Sequence, residues 1–396
     1  MATLSNKNAP ADHMSGAEIA DDMYPYLHRY KDGRVERLMV SAFVPASEAP
    51  GANGVATRDV VIDPCTGVSV RLFLNAAAAA PDRRLPLVAY FHGGPFCTGS
   101  AFSKLFHRYA TSLSARAGAL VVSVDYRLAP EHPVPAAYED AWTALRWAAT
   151  LFDPWLADHA DPVHLFLAGE SGGANIVHNV AARAGTPDGD GIDIDGLILL
   201  QPYFWGTQRL PSEMEFDEGA VDAPKRVDTL WPFLTAGLAG NDDPRINPPA
   251  DVVRSLPCRR ALVAVASKDV LRKQLFHVTM KQNVHGREGT NKVCRAVVGR
   301  APPKARFGLI LGRSISFNLV KRGLLTGEVD GVSGERRHRL CRRSCLRHRK
   351  DKAMAELKSE VMEALQKEVR SLDDDSWMFA APHSGINLVS RPERSG

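Results

Sequence analysis

The sequence predicts an α/β protein: a mostly parallel sheet with helices on both faces. Short apolar runs alternate with longer stretches of helical periodicity between residues 68 and 266. That alternation implies parallel pairing through right-handed crossovers. The run "PLVAYF" (86–91) is continuously apolar rather than alternating, as a strand covered on both faces requires, and "ALVVSVDY" (119–126) reads as the next buried strand. Finally, "GESGG" (169–173) stands where one apolar run stops and a helical run begins.

The elements follow in order. "VSVRLFL" (68–74) alternates apolar and polar residues and predicts a half-buried strand. The alanines at 76–80 with "PDRR" predict a surface turn. "PLVAYF" is a buried strand ending at "HGG". "FSKLFHRYATSLSARAG" has helical spacing and ends on Gly118, a C-cap residue. After the next strand, "AAYEDAWTALRWAATLF" predicts a helix, "VHLFLAG" a strand and "GANIVHNVAARAG" a helix. "DGLILLQPYF" and "RALVAVASKD" predict two more strands. The stretch 210–250 is rich in Pro, Gly and Asp around one apolar helical segment, "VDTLWPFLTAGL", and reads as part of a cap over the strand ends. The amphipathic segment 15–45 is a second cap candidate. Beyond residue 272, "VCRAVVG" and "RFGLILG" offer short strands, and "AMAELKSEVMEALQKEVRSL" an amphipathic helix.

The length of 396 residues suffices for one large domain with a substantial core, or for two. No run approaches the roughly 20 apolar residues of a membrane helix. The start lacks the apolar core of a secretory signal, so a cytoplasmic protein is expected. The six cysteines show neither metal-ligand nor disulfide-framework spacing. The net charge of +4 is unevenly spread: residues 1–271 carry −9, residues 272–352 carry +16 and the last 44 carry −3. The basic run "ERRHRLCRRSCLRHRK" lacks the aromatic interleaving of a nucleic-acid surface and reads as disordered basic sequence.

Gly169-Glu170-Ser171-Gly172-Gly173 fits G-x-S-x-G. In that pattern a sharp strand-to-helix turn exposes the serine, and the flanking glycines keep strand and helix from colliding. Ser171 is therefore the candidate nucleophile; the alternative is a glycine-rich turn whose serine caps the helix. An acyl-transfer serine also needs donors for a developing oxyanion. The backbone N–H of Gly172 is one, and "HGG", with Gly93 and Gly94 after an earlier strand, supplies the others. Pro95 follows, has no N–H and should press Gly94 toward an extended conformation.

The stretches "YFHGGPFCTGSAF", "VDYRLAPEHPVPAAYEDAWTALRW", "FLAGESGGANIVHNVA", "QPYFWG", "DPRINP" and "VAVASKDVL" resemble the plant carboxylesterase group of the hormone-sensitive-lipase-like α/β-hydrolases. The likeness runs over roughly residues 15 to 275. It implies an α/β-hydrolase fold with an N-terminal cap and an atypical or disordered C-terminal part. It also implies Ser171 as nucleophile, Gly93, Gly94 and Gly172 as oxyanion donors, and Asp269 in "SKDVL" as triad acid. The alternative for Asp269 is an N-cap of the next helix. "DYRLAPE" (125–131) is read as bracing loops through its Arg and Glu.

The triad histidine is missing from its expected place. The family pattern puts it about 30 residues beyond the acid, where this chain reads "VVGRAPPKARF". Of the neighbouring histidines, His285 is the candidate base, because His277 falls in the helical stretch after the acid. Three segments are expected: a hydrolase domain over 1–285, a basic disordered segment over 286–352, and a helix with a flexible tail over 353–396. The expected function is hydrolysis of small or medium esters through an acyl-enzyme, weak or absent if no histidine serves. The competing expectation is a non-catalytic, hormone-receptor-like binding protein on the same fold. No cofactor or metal is implied, and the sequence does not set the oligomeric state.

Overall fold

The computed structural model describes residues 18–79, 83–209, 224–266, 271 and the backbone of 293–299. All of them fall within one compact unit, Met1–Glu328. The apolar runs become the strands β4 (Val55–Asp63), β5 (Val68–Asn75), β6 (Leu85–Phe91), β7 (Leu120–Asp125), β8 (Ala160–Glu170), β9 (Gly196–Leu200), β10 (Arg260–Ala266) and β11 (Val293–Gly299). They form one sheet in the order β11-β10-β9-β8-β6-β7-β5-β4. Pairing is parallel from β7 to β11, and antiparallel for β5 with β7 and β4 with β5. The helices are α1 (Lys104–Ala117), α2 (Ala136–Ala149), α3 (Pro154–His159), α4 (Gly172–Ala184), α5 (Pro224–Leu234) and α6 (Ala250–Ser255).

Successive residues of one strand point to opposite faces, and the two sides of this sheet carry separate cores. Leu87, Ala89 and Phe91 of β6 join Leu165 and Leu167 of β8 under Ala141 and Leu145 of α2 and Ile176 and Val180 of α4. Val88 and Tyr90 join Phe166 and Ala168 under Phe106, Tyr109 and Leu113 of α1. The helix α1 ends where the sequence predicts. Gly118 takes φ 64° and its N–H bonds to Ser114 O at 3.0 Å, the left-handed cap that glycine adopts without a Cβ penalty.

Three features bear on the sequence reading. The cap candidate 15–45 forms, among its described residues, a three-stranded antiparallel sheet: β1 (Ile19–Met23), β2 (Leu27–Tyr30) and β3 (Val35–Arg37). Its strands are too short for a periodicity to be read from them. Strand β5 is buried along its whole length rather than half-buried. Its one cation, Arg71, is fully buried because Asp59 of β4 accepts from Nε at 2.6 Å and from Nη2 at 2.7 Å. Strand β11 pairs with β10 from Arg260↔Val293 to Ala266↔Gly299. It is the "VCRAVVG" run that the sequence offers as a short strand, and it lies past residue 285, where the sequence reading ends the hydrolase domain. The rest of 286–396 lies outside the described residues.

His178, on α4, is 2% exposed, and neither ring nitrogen has a hydrogen-bond partner. Its ring meets Phe204 edge-on at 5.2 Å. Burial holds the ring neutral and pushes its pKa down to about 4. In the unfolded chain the same ring protonates near its ordinary value of about 6.5. As pH falls, the unfolded state therefore takes up the proton first. This contribution to stability is whole above about pH 6.5 and is lost as pH drops toward about 4, by on the order of 3 kcal/mol. His178→Leu should flatten the fall of Tm across that window and raise Tm at pH 5. An unchanged slope in that variant would show that other groups set the acid limit.

Candidate active site

Strand β8 and helix α4 are joined by a turn with almost no room in it. A Cβ on Gly169 would lie 2.3 Å from Gly173 O, and one on Gly173 would lie 2.2 Å from Phe91 O and 2.4 Å from His92 O. Side chains at either position would drive the strand, the helix and the end of β6 apart. Between them Ser171 takes φ 52° and ψ −117°, a conformation that costs an L-residue of order 1–3 kcal/mol. Its backbone is held from both sides. Ser171 N–H donates to Leu200 O at 2.9 Å, and Ser171 O accepts from Asn175 N and Tyr203 N, each at 3.1 Å. Ser171 occupies the N-cap position of α4, yet its side chain makes no capping hydrogen bond. The reading of this serine as a helix cap therefore has no bond to support it.

The "HGG" loop leaves β6 and runs alongside this turn. Gly94 takes φ 95°, and a Cβ there would lie 2.3 Å from Thr98 O. The expected extended conformation before Pro95 is not adopted: without a Cβ, glycine enters the positive-φ region freely. A Cβ on Gly172 would meet Gly94 O at 3.0 Å and the Phe96 ring at 3.3 Å. A Cβ on Gly93 would meet the Glu170 side chain at 3.2 Å. Gly93, Gly94, Gly172 and Ser171 thus share one small region at the C-terminal edge of the parallel strands.

Buried groups fix the loop from behind. Tyr126 Oη donates to His92 O at 2.9 Å, and the two rings stack 4.2 Å apart. His92 Nδ1 lies 2.7 Å from Gly93 O, Asp125 Oδ1 accepts from Ala101 N at 3.0 Å, and Ala129 N donates to Phe96 O at 2.8 Å. Cys97, inside the loop, is fully buried, and that burial pushes its thiol up to about 12, so it offers no thiolate at neutral pH.

The bracing expected of "DYRLAPE" is present, with partners the sequence reading did not name. Arg127 pairs with Asp140 of α2, Nη2 to Oδ1 at 2.6 Å, while Glu131 pairs with Arg37 of β3 at 2.7 Å. Asn175, on α4, was missed. Its Nδ2 donates to Tyr203 O at 2.9 Å and Arg245 O at 2.8 Å, and its Oδ1 accepts from Tyr138 Oη at 2.6 Å. Its place one turn after the serine, on a buried helix face, was the available signal. Asp269 and His285 lie outside the described residues, so Ser171 and the three glycines are the predicted site residues that the described structure brings together.

Comparison with known proteins agrees with this fold. The family described as alpha/beta hydrolase fold matches residues 88–298. The chain is 40% identical to tuliposide A-converting enzyme 2, chloroplastic, of Tulipa gesneriana, over 68% of this chain and 70% of that protein. It is also 40% identical to probable carboxylesterase 2 of Arabidopsis thaliana (65% and 81%) and to 2-hydroxyisoflavanone dehydratase of Glycine max (67% and 86%). A second tulip enzyme is matched over 64% of its length. Among solved structures, esterase LipW from Mycobacterium marinum superposes with a TM-score of 0.51 at 29% identity, covering 62% of this chain and 73% of that one. This chain belongs to the α/β-hydrolase family, in its plant carboxylesterase group.

One expectation is overturned. The sequence reading placed the protein in the cytoplasm, whereas the tulip relatives are chloroplastic or amyloplastic. The apolar core sought at the start of the chain is a mark of secretory signals alone. Plastid transit peptides are amphipathic and have no such core. Among the described residues, no helix is long and apolar enough to cross a membrane.

Proposed function

We propose that this protein is a plastid serine carboxylester hydrolase acting on small or medium esters. The observation that carries the reading is Ser171 itself: a strained residue at a strand-to-helix turn, its hydroxyl free of any capping bond, beside the Gly93–Gly94 loop. In this reading Ser171 Oγ attacks the ester carbonyl. The backbone N–H groups of Gly93, Gly94 and Gly172 stabilise the oxyanion that forms. Collapse of the tetrahedral intermediate breaks the ester C–O bond. The alcohol leaves with a proton from the base, and water then hydrolyses the acyl-enzyme. Asp269 and His285 are proposed as the acid and the base. The esterases among the relatives and the solved structures support hydrolysis over the receptor alternative. The plastid assignment rests on the tulip relatives.

A fluorophosphonate probe tests the nucleophile. Stoichiometric label is expected on Ser171, located by peptide mass spectrometry and lost in Ser171→Ala. Completion within minutes would show that a base activates the hydroxyl. A chain that takes no label after hours, or takes it equally after Ser171→Ala, would refute the reading.

A further inference from the structure

We infer that Arg37 is a positioning residue for the oxyanion loop, through which the N-terminal sheet is made part of the catalytic apparatus. The inference rests on the serine-hydrolase reading above and extends it to a strand far from the nucleophile in sequence.

The geometry is specific. Arg37 ends β3, the last strand of the small sheet, and its side chain is only 9% exposed. Its Nε donates to Cys97 O at 2.8 Å, and Cys97 lies in the loop that carries Gly93 and Gly94. Its Nη2 donates to Ala129 O at 3.3 Å. Its Nη1 and Nη2 grip Glu131 Oε1 and Oε2 at 2.9 and 2.7 Å. One guanidinium therefore joins three segments of the chain: the N-terminal sheet, the oxyanion loop and the turn after β7. The loop meets that turn independently through Ala129 N and Phe96 O, so Arg37 closes a ring of bonds around residues 96, 97, 129 and 131. A planar fork with five donors suits this task, and a lysine ammonium does not. Burial alone would raise the pKa of the Glu131 carboxyl, yet the bonds and charge of Arg37 leave it below its ordinary range. The carboxylate therefore stays ionised at neutral pH and keeps the fork oriented.

The consequence is mechanical. Oxyanion donors act only if they are aimed before charge develops. The glycines of this loop have no side chains with which to hold themselves in place. Their aim depends on neighbours that grip the loop, and Arg37 grips it three residues beyond Gly94. Its loss should leave ground-state binding nearly intact while weakening the hold on the transition state. Removing one oxyanion donor outright costs about 10²–10³ in kcat. Loosening the loop should cost somewhat less.

The test uses the full-length chain and p-nitrophenyl acetate. Arg37→Ala is expected to lower kcat about ten- to a hundred-fold with KM changed less than about two-fold. Arg37→Lys should recover only part of that loss. Glu131→Gln, which leaves the bond to Cys97 O available, should lose less than Arg37→Ala. Hydrogen exchange should speed up at the amides of 93–99 in Arg37→Ala while the α1 and α4 amides keep their protection. A loss confined to KM, or unchanged exchange in the loop, would overturn the inference. So would full rescue by lysine, since a fork would then be unnecessary. Equal kcat in wild type and Arg37→Ala would end this role alone. Absence of turnover in the wild type would end the serine-hydrolase reading and this role with it. Should Arg37→Ala fail to fold, Arg37→Lys and Glu131→Gln carry the same comparison.

Discussion

Gly173→Ala is expected to yield no soluble, folded protein. The added Cβ would sit 2.2 Å from Phe91 O and 2.4 Å from His92 O. Both obstacles are backbone atoms at the end of the central strand β6, and neither can rotate away. Helix α4 would have to lift off the sheet, and its buried face, with Ile176, Val177, Val180 and Ala181, would lift with it. Steric overlap of this kind belongs among the rare substitutions costing more than about 4–5 kcal/mol, against a total stability of roughly 5–15 kcal/mol for a typical domain. Two controls separate space from backbone conformation. Gly67 has φ 76° and nothing within 4 Å of its missing Cβ, so Gly67→Ala should cost only about 1 kcal/mol or so. Gly172→Ala meets Gly94 O at 3.0 Å and a ring edge at 3.3 Å, so it should fold with a displaced loop and reduced turnover. Soluble yield, circular dichroism and thermal melts rank the three. A Gly173→Ala protein melting within a few degrees of wild type would mean that strand and helix are not packed as tightly as these distances require.

What could be read from the sequence follows from where the physics is local. The end of α1 at Gly118, the turn at Ser171 and the burial of β7 and of β6 from Leu87 onward are each written in a few adjacent residues, and each is found in the structure. Contacts distant in sequence were less legible. Arg71 looked like the polar side of a half-buried strand because Asp59, which neutralises it, lies on the neighbouring strand. Glu131 was expected to pair, but Arg37 stands 94 residues earlier in the chain. The N-terminal segment could be read only as amphipathic, with no element type, because strands of three to five residues carry no period to distinguish. The acid and base have no comparable local signature. Asp269 was reached through resemblance, and His285 by elimination among the histidines that follow.

The chemistry itself provides the last and largest expected effect. Ser171→Ala should lower turnover of p-nitrophenyl acetate by on the order of a million-fold if a complete nucleophile–base pair operates. A residue of about 10³–10⁴ over water should survive from the oxyanion donors alone. Residues that act as one unit do not contribute additively. If His285 is the base, His285→Ala alone should therefore cost nearly as much as Ser171→Ala, and the double variant should be no slower than either. Folding of each variant is checked by circular dichroism. A His285→Ala protein that keeps its turnover while Ser171→Ala loses it would take the base role from His285 and leave the nucleophile in place. A double variant slower than both singles by the product of their losses would mean that the two residues act independently, and a serine–histidine pair cannot do that, because the histidine has no proton to take once the serine hydroxyl is gone.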